Sequence, residues 1–457
     1  MTIPLSVNLQ GDQALSGSNM LAETISSIAE IKPSHPGLPR APRTPEDTGL
    51  PFLFLVELVV KAVFVRGQVR LVELSAHLKL APAVLDPVIV FMRSERLCEV
   101  ARLGASGTDA DINYRLTDLG CERAAGFMRR NAYAGPAPVT LAAYCTQVQA
   151  QTAQLRVTAE DVASEFADIV ASPVVLRQLG AAMNSGRAIF VHGPAGSGKT
   201  YLAERLAGLI NEPISVPHAI MVDNEVVQIY DPSIHRRFSD QTGQAQTFDK
   251  RQPADPRWVR CIRPAVLTGG ELTLDMLDLK FDADTRFYQA PPHLKANNGI
   301  FIIDDLGRQR CSVTELMNRW IVPMDRRIDH LSLHTGQKFQ VPFEVIVVFS
   351  SNFPPGELAD GSFMRRLAYK IHVGALNETQ YEQVFRAVCG QFGIACTDDA
   401  FNYLLNGLHY KEQKPLLACY PRDIVRQIHE LAIYEGRPAE LDEGALDWAW
   451  NNYFKGE

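Results

Sequence analysis

The sequence predicts an α/β protein: a parallel-sheet core, a helical region after it and a small α+β domain before it. Three observations carry this. From about residue 160 to 374, short apolar runs such as "AIFV", "IFII" and "VIVVF" alternate with helix-like stretches, as expected of parallel strands covered on both faces. From about residue 375 onward only helical apolar spacing recurs. Between Phe52 and Asn131 three helix-like segments precede two strand-like runs.

The bulk numbers set outer limits. A chain of 457 residues is expected to hold two to four domains. With 46% hydrophobic and 21% charged residues it has the balance of a globular protein. A net charge of −7 argues against general polyanion binding, although a local basic groove stays open. No apolar run is long enough to span a bilayer, and "MTIPLSVNLQGDQ" lacks the regions of a signal peptide. A cytoplasmic protein without membrane insertion is therefore expected. The eight cysteines contain no C-x-x-C pair, so their spacing suggests neither a disulfide framework nor a metal centre.

In chain order, residues 1–50 read as a disordered, proline-rich leader, with six prolines in "IKPSHPGLPRAPRTPEDTGLP". Residues 51–135 follow as the small domain. "FLFLVELVVKAVFV" is apolar nearly all round, "LVELSAHLKL" and "APAVLDPVIVFMRSERL" are amphipathic, and "LCEVAR" and "INYRLT" flank the loop "LGASGTDAD". Three helices and a hairpin form the winged-helix order. The helix that reads DNA in such domains corresponds to Ala83–Arg93, whose only charges are Asp86 and Arg93. Residues 51–150 hold 11 Lys/Arg against 9 Asp/Glu, without a basic stripe, which favours protein docking over DNA. Residues 136–160 read as a connecting helix or linker. "TAEDVASEFADIV" then opens with a capping box, Thr158 and Asp161.

The chemistry lies in "RAIFVHGPAGSGKTYLAERLAGLI". A short buried strand and an apolar-striped helix flank Gly193-Pro194-Ala195-Gly196-Ser197-Gly198-Lys199-Thr200, the P-loop pattern in its required setting. The glycines let successive backbone N–H groups face phosphates. Lys199 offers a charge to the outer phosphates and Thr200 a hydroxyl to Mg²⁺. Such a site needs a second strand that presents a carboxylate, and "GIFIIDDLG" supplies one. Asp304 is expected to hold Mg²⁺ through water and Asp305 to orient the attacking water. The cation makes two adjacent acids tolerable.

With these motifs, residues 160–435 or so resemble the AAA+ ATPases, among them the MoxR- and Clp-type chaperone-like members. The resemblance implies ATP as substrate, Mg²⁺ as cofactor and further site residues. "FEVIVVFSSNFPP" is similar to the strand that ends in a sensor-1 residue, here Asn352. "GSFMRRLAYKIHV" resembles the arginine-finger helix, with Arg366 favoured by register and Arg365 in reserve. Arg422 in "CYPRDIVRQI" matches sensor 2, and Ile169 and Val170 in "FADIV" match the adenine contacts. One departure is plain: active members usually carry glutamate where this chain has Asp305.

Lys199 and Asp304 lie 105 residues apart, more than a strand-helix-strand unit needs, so an insertion is expected. Its 231–260 stretch is polar and irregular, suited to a surface loop. "LDLKF-DADT-RFYQA" reads as a hairpin. By resemblance to bacterial enhancer-binding ATPases it would face the pore of a ring, with Phe287 and Tyr288 gripping a partner; simple packing of both rings stays open. A second hairpin is expected at "HLSLHTGQKFQVPF", and residues 375–457 read as a helical lid in which Trp448, Trp450 and Tyr453 pack. A finger acts in trans, so the resemblance implies a homo-oligomer, expected as a hexamer. The favoured function is a protein-remodelling ATPase that docks its client through the winged-helix domain. A DNA-binding regulator or loader and a slow nucleotide-gated scaffold are the alternatives.

Overall fold

The computed structural model describes residues 38–102, 112–152, 156–239, 254–358 and 361–455. Most of the expected leader, the "LGASGTDAD" loop and much of the 231–260 stretch fall outside these residues.

The first core is built around helix Phe52–Arg66, apolar on nearly every face and buried at Leu55, Leu58, Val59 and Val60. Its buried Lys61 is matched by Glu57 at 3.3 Å and by the Asn131 carbonyl at 3.0 Å, as a buried charge requires. Helices Leu71–Leu78, Pro82–Ser94 and Asp118–Arg130 pack with it. A three-stranded antiparallel sheet completes the unit: β1 (Gln68–Arg70), β2 (Cys98–Arg102) and β3 (Asn113–Leu116), with β3 central. Strand β1 is a third strand beyond the predicted pair; three residues are too short to show alternation. Among the described residues no single helix is long and apolar enough to cross a membrane.

Further strands are β4 (Val139–Thr140), β5 (Ile189–His192), β6 (Ile214–Pro217), β7 (Ala219–Val222), β8 (Glu225–Gln228), β9 (Trp258–Cys261) and β10 (Ala265–Thr268). After these come β11 (Lys280–Phe281), β12 (Tyr288–Gln289), β13 (Ile300–Ile303), β14 (Ile328–Ser332), β15 (Lys338–Pro342), β16 (Ile346–Ser351) and β17 (Tyr369–His372). Five of them form the central parallel sheet, in the order β10-β13-β16-β5-β17. Its side chains alternate between two cores. Ile189, Val191, Ile300, Ile302 and Val348 face one that includes helix Pro173–Ser185. Phe190, Phe301, Ile303 and Phe349 face the other, with Trp320 of helix Val313–Arg326 stacked on Phe301 at 5.4 Å. Both faces are covered, so these strands read as unbroken apolar runs.

Two expectations about connections are corrected. Residues 136–160 are more than a linker: β4 pairs with β7 in a second sheet, β11-β12-β8-β7-β4, and Tyr144 and Val148 of helix Leu141–Ala150 enter its core. The last dozen residues of the expected leader are also structured. Arg40 bridges to Ala254, the Asp255 N–H donates to the Pro39 carbonyl at 2.7 Å, and Thr48 and Leu50 are buried. Arg257, paired with Asp255, donates to the Thr48 and Pro138 carbonyls. A buried guanidinium rich in donors finds its acceptors in this proline-rich backbone.

The C-terminal region is helical: Glu378–Gln391, Asp398–Asn402, a π-helix Tyr403–Tyr410, Tyr420–Glu435 and Glu443–Phe454. Trp450 is buried and the Tyr453 hydroxyl donates to Asp423 at 3.0 Å, whereas Trp448, expected to pack, is 42% exposed.

Candidate functional site

Register in the central sheet decides what meets. His192 of β5 lies opposite Ser351 of β16 and His372 of β17, and Ile303 lies opposite Phe349. The residues that follow these strands therefore leave the sheet along one edge: the P-loop after β5, Asp304 and Asp305 after β13, Asn352 after β16. A parallel sheet binds ligands at this carboxyl edge.

The P-loop backbone requires its glycines. Gly193 has φ +151°, and a Cβ there would meet the Val373 carbonyl oxygen at 2.0 Å. Gly196 has φ +81°, and a Cβ there would lie 2.4 Å from Cys419 Sγ. Helix Lys199–Arg205 begins where the loop ends. Lys199 Nζ donates to the Pro194 carbonyl at 2.9 Å and to Asn352 Oδ1 at 2.8 Å. Asn352 Nδ2 donates to Asp305 Oδ1 at 2.9 Å, and Thr200 Oγ1 donates to Asp304 Oδ2 at 2.7 Å. Burial depresses the Lys199 ammonium below its ordinary range, and the charges of Asp304 and Asp305 work against that fall.

These residues fit a nucleoside triphosphate. Ser197 Oγ is buried in the loop without a hydrogen-bond partner, an orphaned polar group at the place where phosphate oxygens would arrive. Thr200 and Asp304 make a pair of hard oxygen donors, the small set that Mg²⁺ takes when it keeps its waters. Among the described residues no group of three or more His, Cys, Asp or Glu could hold a metal ion, so such a cation would rest on this pair and on the phosphates.

Ile169 and Val170 line a cavity of about 100 Å³ beside the P-loop, with Tyr201, Leu376, Gln380 and Ala418. The last three belong to the helical region and its approach, so the pocket joins that region to the parallel sheet. The same junction is tied by the Cys419 N–H, which donates to the Gly196 carbonyl at 3.1 Å. Arg422 is exposed in the first turn of Tyr420–Glu435, three residues beyond that contact.

Arg365 and Arg366 do not join this group. They line a separate cavity with Gly186 and Arg187, at the opposite end of β5, and Arg366 Nε donates to the Asp325 carboxylate at 2.9 Å. Of the two roles left open for Phe287 and Tyr288, the contacts favour packing over gripping. Tyr288 is 1% exposed and its hydroxyl accepts from the His334 N–H at 3.0 Å, while Phe287 packs edge-on against Tyr133 at 5.4 Å. Strand β12 lies inside the second sheet between β11 and β8, so Tyr288 serves as core, while the half-buried Phe287 just before it packs on the N-terminal core.

Sequence reasoning missed Gln309, whose Nε2 donates to the Asp304 carbonyl at 2.8 Å while its Oε1 accepts from the Gly307 N–H. It also missed His192 and His372, whose rings lie 5.1 Å apart at the mouth of the P-loop. Burial depresses the His192 imidazole, and the neighbouring His372 and Lys199 add to that. The position of His192 directly before Gly193 was the available signal.

Residues 377–452 match a family model described as a domain of unknown function, DUF8689. Comparison with curated proteins gives no match. Among solved structures, NtrX from Brucella abortus is similar at 13% identity and a TM-score of 0.40, covering 62% of this chain and 56% of that one. The same protein in complex with ATP gives 15% identity and a TM-score of 0.38, with 61% and 56% covered. RuvB from Thermotoga maritima gives 10% identity and a TM-score of 0.34, with 66% and 71% covered. The chain thus spans little more than half the length of the NtrX chains.

Proposed function

We propose that this chain is an AAA+ ATPase that binds ATP in the P-loop, hydrolyses it, and works as a ring-forming remodelling enzyme on a protein partner. The observation that carries the proposal is the run of hydrogen bonds from Lys199 through Asn352 to Asp305, beside the Thr200–Asp304 bond. Three separate chain segments thereby present a cation, a polar amide, a carboxylate base and a metal-ligating pair to one point, the parts that phosphoryl transfer to water requires.

Lys199 and the loop N–H groups hold the outer phosphates, and Ser197 Oγ gains a partner there. Thr200 and Asp304 would hold Mg²⁺, which would supply positive charge to the phosphates. Asp305, oriented by Asn352, accepts a proton from the attacking water. The cavity formed by Ile169, Val170 and the helical region takes the base, so binding draws that region onto the sheet. Arg365 and Arg366 stand at the far end of β5, whose four residues span about 13 Å at strand rise. That separation favours service to a neighbouring copy's nucleotide, and with it a closed oligomer of six.

The domain at 51–135 is read as winged-helix-like from the three helices that precede the β2–β3 hairpin and from its three-stranded sheet; a fourth helix, Asp118–Arg130, follows. A groove of about 640 Å³ on it is lined by Phe54, Phe91, Leu119 and Phe127, surface suited to a protein partner rather than a phosphate backbone. Affinity capture with Asp305→Asn, which holds ATP without turning it over, tests this reading against Lys199→Ala. Proteins enriched on the stalled form alone are the expected result. Nuclease-sensitive DNA in their place would make the chain a DNA-acting ATPase.

A further inference from the structure

The turn that follows β13 is fastened to its neighbours on both sides. The Asp304 N–H donates to the Thr268 carbonyl of β10 at 2.8 Å, and the Leu306 N–H donates to the Ser350 carbonyl of β16 at 2.8 Å. Ser351 Oγ donates to the Leu306 carbonyl at 2.8 Å and accepts from the Phe353 N–H at 3.1 Å, so the turn is tied to both flanks of Asn352. Between the anchored residues stands Asp305 with φ +48°, and Gly307 follows with φ +105°. A left-handed aspartate is strained, and it persists only where its surroundings over-determine it.

The side chain that closes this turn is Gln309. Its Nε2 donates to the Asp304 carbonyl at 2.8 Å and to the Asp305 carbonyl at 3.3 Å, while its Oε1 accepts from the Gly307 N–H at 2.9 Å. A primary amide carries two donors and an acceptor oxygen, and here all of them meet the backbone of the turn. The Arg308 N–H adds a bond to the Asp305 carbonyl at 2.9 Å. Gln309 is half-buried, and with its amide engaged on the backbone it reaches the chemistry only through the acids it holds.

We propose that Gln309 is a positioning residue for ATP hydrolysis: it locks the turn in which Asp305 is left-handed, and so aims that carboxylate at Asn352 and the attacking water. The inference rests on the reading of Asp305 as the base under Proposed function. Aspartate has a single methylene, so its carboxylate goes where the backbone aims it. In the locked turn Asp305 Oδ1 accepts from Asn352 Nδ2 at 2.9 Å. A catalytic group displaced by about 1 Å can lose about 100-fold in rate.

The test is single-turnover phosphate release from ATP with Mg²⁺, by the full chain as wild type, Gln309→Ala, Gln309→Glu, Asp305→Asn and the Asp305→Asn, Gln309→Ala double variant. Each rate is scaled to the ATP sites counted by equilibrium titration, which removes any loss of folded chain. Gln309→Ala is expected to slow release about 10- to 100-fold while ATP affinity stays within about twofold of the wild type. Gln309→Glu keeps an acceptor for the Gly307 N–H but sets a carboxylate against two carbonyls, so it should slow release at least as much. In the Asp305→Asn background Gln309→Ala should cost nothing further, because a base already removed cannot be misplaced. Release by Gln309→Ala at the wild-type rate, weakened ATP binding, or equal slowing in both backgrounds overturns the positioning role and leaves hydrolysis through Asp305 standing. Release by Asp305→Asn at the wild-type rate removes the base itself, and this proposal with it.

Discussion

Asp305 has φ +48°, in the left-handed region that few side chains tolerate. Short polar residues such as Asp enter it at least cost because they bond locally, and Asp305 accepts from Asn352. The aspartate that departs from the usual glutamate thus has a backbone reason. Asp305→Glu is expected to lower stability by about 1 kcal/mol, read from urea unfolding. Asp305→Asn keeps an acceptor for Asn352 but loses the base, so turnover should fall about 10²- to 10⁴-fold with ATP affinity retained; phosphate release and equilibrium binding check the two halves. The P-loop residues, both acids and Asn352 were legible because each follows directly on an apolar strand. Gln309 was not, because its role depends on the loop folding back onto the Asp304 carbonyl.

Among the elements, the parallel strands announced themselves because burial on both faces forces apolar residues at every position. The second sheet did so only in part: its β11–β12 hairpin was legible as two runs around a polar turn, but β4 and β12 are two residues each and pair with β7 and β8, which are distant in sequence. The helical region offers a test of its own. Burial depresses the His409 imidazole to about 4, only partly opposed by its bond to the Lys414 carbonyl, while Nε2 accepts from the Tyr381 hydroxyl at 2.8 Å. The unfolded chain takes up this proton first as pH falls below 6.5. Stability should therefore drop by up to about 1.4 kcal/mol per pH unit between roughly 6.5 and 4. Urea unfolding at pH 7 and pH 5 checks this, and His409→Gln should reduce the difference.

At the scale of the whole molecule, the insertion between β5 and β13 builds a core with residues from before the P-loop, and Phe287 joins the N-terminal core at Tyr133. Sequence could show that something was inserted, but which surface its aromatics faced depended on pairing between β12 and β8. Phe287→Ala should consequently lower the melting temperature, with a cost of about 1–2 kcal/mol because the ring is half-buried, and leave the ATP turnover of the folded fraction unchanged; a stable variant with altered partner binding would restore the gripping role. The central claim is that Lys199, Thr200, Asp304, Asp305 and Asn352 form one ATP-hydrolysing site. Steady-state phosphate release from ATP with Mg²⁺, by the wild type and by Lys199→Ala, tests it most directly. Clear turnover by the wild type that Lys199→Ala abolishes is the predicted result. Turnover equal in both, or absent from a wild type that binds ATP, would contradict it.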